Sequence, residues 1–245
     1  TISRADFWVA AANAVIENAA VDRRFTRLPF RYGRVDADSC PNSSPRLPEA
    51  TGCDSVEGVF INRMGLTWTD ATALLGAHTL GRGHEQFSGH PGTWVQDDFR
   101  STVFDRTFYT ELVGRGWRPR SNTGFTDWTW RDQEFLMLNT DACLAFDIDS
   151  FVNETGVINR GCCTNRNANC RDNGDPLPEC APSSGVRPEA HSAVTTFAGD
   201  SNQPFFDAFS LAWTKATENG YDSLLELVDG DAPVPAPVPA PVPAP

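Results

Sequence analysis

Apolar residues recur at three- and four-residue intervals in several stretches of this chain, and proline, glycine and asparagine fill the gaps between them. Ser3 to Ala20 reads as a helix capped by Ser3, with Asp6 three residues on and Phe7, Ala10, Ala11, Ala14 and Val15 facing inward. Val56 to Met64 is a short helix with Val59, Phe60 and Met64 inward, stopped by Gly65. Thr67 or Thr69 caps the next helix, Asp70 lies in its first turn, and Ala71, Leu74, Leu75 and His78 share one face before Gly81 and Gly83 end it. Thr107 to Val113 predicts another short helix. Pro204 to Asn219 is amphipathic, with Phe205, Phe209 and Ala212 or Trp213 inward, and Leu224, Leu225 and Leu227 finish the domain.

The intervening stretches are irregular. Arg23 to Asp54 carries Pro29, Gly33, Pro41, Pro45, Pro48 and Gly52, which forbid long regular elements. The run WRPRSNTGFTDWTWRD is either an exposed recognition surface or a hairpin that packs its indoles inward. The pattern predicts a mainly α fold with long loops and minor β, in one large domain or two small ones, and a polyproline II tail over 231–245 that cannot build a core.

Seven cysteines change this picture. Cys162, Cys163, Cys170 and Cys180 fall in a polar segment with no histidine and no paired CxxC units, so disulfides are favoured over zinc. Cys40 and Cys53 bracket a proline-rich loop and can close it, and the odd count leaves one thiol free or bonded outside the chain. Asn42 and Asn153 head glycosylation sequons, which agrees with an oxidising, secretory history and a secreted, extracellular or cell-wall location. The formal net charge of −12, with Lys215 the one lysine against nineteen arginines, argues against nucleic-acid and anionic-membrane partners. No apolar run is long enough to span a bilayer. The chain opens at TISRADFW without an initiator Met and reads as processed or incomplete.

Spacing alone makes His78 a hydrogen-bonded core histidine as readily as a ligand. The whole string AHTLGRGH, followed by SG and then Trp94, resembles the proximal haem segment of the plant, fungal and bacterial haem peroxidase superfamily, nearest to the branch with cytochrome c peroxidase and ascorbate peroxidase. ISRADFW, FRYGRVDAD and RLPEA resemble further segments of that family in the same order. The resemblance implies the proximal lobe of the haem peroxidase fold over residues 1–230, with 147–187 a cysteine-rich, disulfide-fixed surface insertion over the proximal face.

The resemblance also implies a site. His78 would ligate the iron of haem b, and Asp141, in FLMLNTD, would hold the other ring proton and make the imidazole a stronger donor. Asp141 can equally cap the helix that follows it, and the two roles can coexist. Trp94 would stack by the imidazole and give its indole N–H to Asp141, or simply fill the core. His84 would face a haem propionate with help from Arg82, while His90 is expected at the surface and His191 is left unassigned. Thr79, Asp98, the Val103 carbonyl and Asp105 match a K+ or Ca2+ site of relatives, weakened because Arg100 stands where they have a ligand and can replace the cation.

The family's distal histidine and arginine would lie upstream of SRAD, and no Phe-His or Trp-His preceded by a suitably spaced arginine occurs here. One expectation is therefore a haem-dependent peroxidase that reduces hydrogen peroxide with a small-molecule or protein one-electron donor, once a separate amino-terminal half, disulfide-linked or not, supplies the distal residues. A fragment of a single polypeptide leads to the same chemistry. The alternative is an inactive peroxidase-fold subunit of an extracellular or wall assembly.

Overall fold

Ser3 opens α1 (Arg4–Ala19) as expected, its hydroxyl accepting the Asp6 N–H at 3.0 Å. The face that packs is not the expected one. Phe7 and Val15 point to solvent together with Trp8, which is 69% exposed, while Asp6, Asn13 and Ile16 are buried. Polar partners explain the rotation. Asp6 pairs with the Arg34 guanidinium at 2.8 Å and accepts the Gly33 N–H, and Asn13 accepts the Trp213 indole N–H at 2.7 Å. Burial alone would raise the Asp6 carboxyl, but the Gly33 N–H and Arg34 hold it below the ordinary value.

The structure, a computed structural model, describes residues 2–22, 25, 27–39, 46–120, 127–130, 135–153, 155, 157–158, 161–172 and 174–227. The Pro-rich tail, Cys40 and Asn42 lie outside the described residues. The remaining helices are α2 (Cys53–Val56), continued by a wide π-type stretch over Glu57–Arg63, α3 (Trp68–Leu75), α4 (Glu85–Ser88), α5 (Thr107–Gly114), α6 (Asn139–Ala145), α7 (Pro188–Phe197) and α8 (Gln203–Glu218). Short strands join them: β1 (Arg31–Tyr32), β2 (Arg118–Pro119), β3 (Asp127–Thr129), β4 (Met137–Leu138), β5 (Phe146–Asp147), β6 (Arg171–Asp172), β7 (Asp175–Pro176), β8 (Ala181–Pro182) and β9 (Leu225–Glu226). The pairs β1–β9, β5–β8 and β6–β7 and the three-stranded β2–β3–β4 are all antiparallel. The fold is thus mainly α with minor β and disulfide-fixed loops. No helix among the described residues is long and apolar enough to cross a membrane.

The core lies where α3, α5, α6, α7 and α8 meet. Phe104, Phe108, Tyr109, Phe205, Phe206 and Phe209 are buried against one another there. α3 starts with a capping box in which Thr67 and Asp70 exchange hydrogen bonds, and Lys215 of α8 clamps Asp70 at 2.8 Å. Gly76, where α3 tightens into a 3₁₀ turn over Gly76–Thr79, lies so close to the Tyr109 hydroxyl and the Phe205 ring that a Cβ has no room.

Three disulfides staple the loops, and one differs from expectation. Cys162–Cys180 and Cys163–Cys170 close the polar segment on itself. Cys53 does not close the proline-rich loop with Cys40; it bonds Cys143 of α6, ninety residues away. A long loop closed in this way restricts the unfolded chain most. The Trp-rich run turns its indoles inward: Trp117 and Trp128 are buried, and Trp130 lies half-buried between Arg115 and Phe135. α7 follows directly on the cysteine-rich segment and was not anticipated from the sequence.

Candidate functional site

The 3₁₀ turn that prolongs α3 carries His78. Its ring is not enclosed by Ala and Leu as the spacing predicts. It stacks on the Trp94 indole at 4.3 Å between centroids and 17° between planes, meets Phe108 edge-on at 6.1 Å, and stays 28% exposed. A tighter turn from Gly76 displaces the ring from the α-helical face by widening the angular step per residue from about 100° to about 120°.

Asp141 gathers the site. It occupies the third position of α6 and accepts the Leu138 backbone N–H at 2.8 Å, so it does cap that helix. The same carboxylate meets His78 Nδ1 at 2.9 Å through Oδ1 and accepts the Trp94 Nε1–H at 2.8 Å through Oδ2. With a carboxylate as its neighbour, Nδ1 carries the proton, and Nε2 keeps its lone pair for another partner. Asp141 is completely buried, and His78 is its one cationic-capable partner among the described residues. Nearby, burial first and the Asp141 charge second push the Tyr109 phenol well above its ordinary value. The phenol therefore stays protonated and donates to the Thr72 carbonyl at 2.9 Å.

The other candidates are dispersed. Arg82 pairs with Asp98 at 3.0 Å in an exposed bridge, and the exposed His84 ring meets the Phe87 ring edge-on. Among the described residues no hydrogen bond links Arg82 or His84 to His78, Trp94 or Asp141. Thr79 is buried with its hydroxyl 3.3 Å from both the Val103 carbonyl and Asp105 Oδ1. The Asp98 carboxylate is engaged by Arg82 rather than turned to that group, and Arg100 pairs with Asp97, not with the cluster it was expected to neutralise. No three His, Cys, Asp or Glu side chains converge on a point among the described residues.

His90 is a further departure. It is half-buried rather than free at the surface: its Nδ1 meets the fully buried Asp127 at 2.9 Å, and Arg120 Nε donates to the same carboxylate at 3.0 Å. The chain thus holds two histidine–aspartate pairs. Nothing local in the sequence connects Asp127 to His90, thirty-seven residues earlier.

Among the described residues His78 Nε2 has no hydrogen-bond partner, and a carboxylate holding the other ring nitrogen is a feature that metal-ligating histidines share with purely structural ones. The chain belongs to the peroxidase family: the family profile described as Peroxidase matches residues 1–155. It is 38% identical over 152 residues to the mitochondrial cytochrome c peroxidase of Emericella nidulans, covering 60% of this chain and 39% of that protein. Over 114 residues it is 40% identical to the cytosolic L-ascorbate peroxidase 1 of Oryza sativa subsp. indica, covering 46% and 42% respectively. The mitochondrial cytochrome c peroxidase of Candida albicans is 34% identical over 146 residues, 58% of this chain and 38% of that protein. The matched stretch therefore spans about two fifths of the length of these relatives.

Proposed function

We propose that this chain supplies the iron-ligating part of a haem peroxidase that reduces hydrogen peroxide and oxidises a one-electron donor. The observation that carries the reading is Asp141, wholly buried, joined at 2.9 and 2.8 Å to His78 and Trp94. A buried carboxylate with only neutral donors around it is costly unless a positive charge lies close. Coordination of His78 Nε2 to iron meets that need, so the residues present fit the group. When bound, haem supplies the redox-active iron that takes up the oxidising equivalents of peroxide and hands them to a donor.

The protein residues do the positioning. Asp141 retains the Nδ1 proton and raises the electron density on His78, which strengthens Nε2 as a ligand. Trp94 and the Leu138 N–H fix Oδ2, so that the carboxylate cannot rotate away from the ring. His84 and Arg82, both exposed, are assigned to propionate recognition, and Thr79, Val103 and Asp105 to a weak cation site. Peroxide cleavage also needs a base and a positive charge on the opposite face of the iron. His90 and His191 are committed to Asp127 and to the Ala145 carbonyl, so the proposal assigns that step to residues beyond these 245, on the same polypeptide or a partner chain. Three disulfides support an oxidising compartment and hence secretion.

The test is titration of the purified chain with haemin, followed by absorption spectroscopy. Saturable one-to-one binding with a histidine-ligated spectrum is expected for the wild type and its loss for His78→Ala. Equal binding and equal spectra in the two proteins would sink the proposal.

A further inference from the structure

The carboxyl end of α6 is held in an unusual way. A helix leaves its last four carbonyls without intrahelical donors, and in a buried helix each needs a partner. Every residue of α6 is buried. The Ala142 carbonyl receives the Phe146 N–H, and side chains serve the other three. Arg187 Nε donates to Cys143 at 3.2 Å, Ser183 Oγ to Leu144 at 2.7 Å, and His191 Nδ1 to Ala145 at 3.2 Å. Because a carbonyl only accepts, the His191 proton sits on Nδ1.

These three donors form one ridge. They are spaced by four residues, and the backbone joins them in a helical manner: the Arg187 N–H donates to the Ser183 carbonyl at 2.7 Å and the His191 N–H to the Arg187 carbonyl at 3.1 Å. The ridge is itself anchored. Arg187 grips Asp149 through both terminal nitrogens, at 2.8 and 3.0 Å, and β8 just ahead of Ser183 pairs with β5 and follows the Cys162–Cys180 disulfide. A guanidinium and an imidazole at this position also complement the negative end of the helix dipole.

We propose that Ser183, Arg187 and His191 are positioning residues for Asp141, and that the cysteine-rich segment serves to hold this ridge against α6. α6 has only seven residues and carries Asp141 in its first turn, so a shift at its far end moves the carboxylate relative to His78 and Trp94 as a rigid body. All three donors lie beyond residues 1–155, outside the stretch the family profile matches. The insertion is then part of the site's framework rather than a surface addition. The hydrogen-bond geometry stands without haem; only its meaning for ligation rests on the function proposed above.

The experiment uses the whole 245-residue chain without haem, so that its failure is separable from failure to bind haem. Proton–nitrogen NMR would follow the Trp94 Nε1–H and the Leu138 N–H, both donors to Asp141. In Arg187→Gln, exchange of these two protons should speed up about tenfold, the scale of one lost buried hydrogen bond, and the Trp94 signal should move upfield. Arg187→Lys, which keeps a donor and the charge, should recover part of the protection. A control, Phe209→Leu, weakens the core away from α6; it should accelerate exchange without that signal shift. If Arg187→Gln does not fold, Ser183→Ala, which removes one donor and little volume, replaces it with the same expected direction. Unchanged exchange and shift in a folded variant, or the same response in the control, would overturn the proposal.

Discussion

Two histidine–aspartate pairs lie by the end of the β3–β4 pairing where Asp127 stands opposite Leu138, and both join Nδ1 to a fully buried carboxylate at 2.9 Å. They differ in what else the carboxylate touches. Asp127 also receives the buried Arg120 guanidinium, so its charge is matched within the protein and His90 need carry none. Asp141 receives two neutral donors, the Trp94 and Leu138 N–H groups, and no guanidinium or ammonium reaches it among the described residues. The first pair is a closed structural latch, tying the loop before Trp94 to β3. The second has no permanent cation beside its carboxylate among the described residues, and on the function proposed above a metal on His78 would supply one. On that reading the same pair of functional groups is inert or poised according to a third partner, and the distance between histidine and aspartate does not distinguish them.

Breaking the latch should have the largest effect on stability. Asp127→Ala takes the carboxylate from a buried arginine and from His90 at once, and should cost about 3 kcal/mol in urea unfolding. A loss below about 1 kcal/mol would mean that the Arg120 charge is well served elsewhere, and the contrast with Asp141 would lose its footing. Asp141→Asn should show the reverse profile. Its shape is kept but an amide donor now faces a donor, which costs about 1–3 kcal/mol of stability, while haemin affinity should fall about 10–100-fold. Asp127→Asn, by contrast, should leave the haemin affinity of the folded protein as it was. Equal losses of affinity in the two asparagine variants, measured by absorption titration, would erase the distinction. A smaller change is expected from Trp94→Phe, which retains the stack on His78 but loses one hydrogen bond, about 1 kcal/mol.

The contrast also explains what the sequence could convey. α3, α5 and α8 were legible because their apolar residues repeat at the helical period and their ends carry Thr67, Gly114 and Pro204, each with a local reason to start or stop a helix. The trio of His78, Trp94 and Asp141 was legible from a resemblance of strings, and the structure does bring these three together. The inward face of α1 was not legible, because polar Asp6 and Asn13 win burial through partners far along the chain, Arg34 and Trp213. Periodicity weighs hydrophobicity and is blind to such pairing. The Cys53–Cys143 bond escaped for a related reason, since proximity in sequence favoured Cys40 and only the packing of α2 on α6 brings Cys143 near. His90 with Asp127, and the ridge along α7, are likewise long-range facts.

The smallest expected effect tests whether carboxylates matched by permanent cations behave as a class apart from Asp141. Asp6 is such a carboxylate: the Arg34 guanidinium lies 2.8 Å away and both side chains are nearly fully buried. Its pKa in the folded chain is lowered from the usual 3.8 because the Gly33 N–H and Arg34 outweigh the cost of burial. The folded state thus binds the proton less readily than the unfolded state, and the stabilisation is complete above the ordinary carboxylate range. It is lost as pH falls through the lowered folded value. Thermal unfolding should therefore show a falling Tm below about pH 4, with Asp6→Asn, which cannot titrate, reducing the acid loss of stability behind that fall by about 1 kcal/mol. Asp70, lowered in the same direction by Lys215 and Thr67 against its own burial, adds to the acid sensitivity that remains. If Asp6→Asn has the same acid profile as the wild type, the Arg34 pair contributes nothing that protonation can remove, and compensation by a guanidinium would not be what separates Asp127 from Asp141.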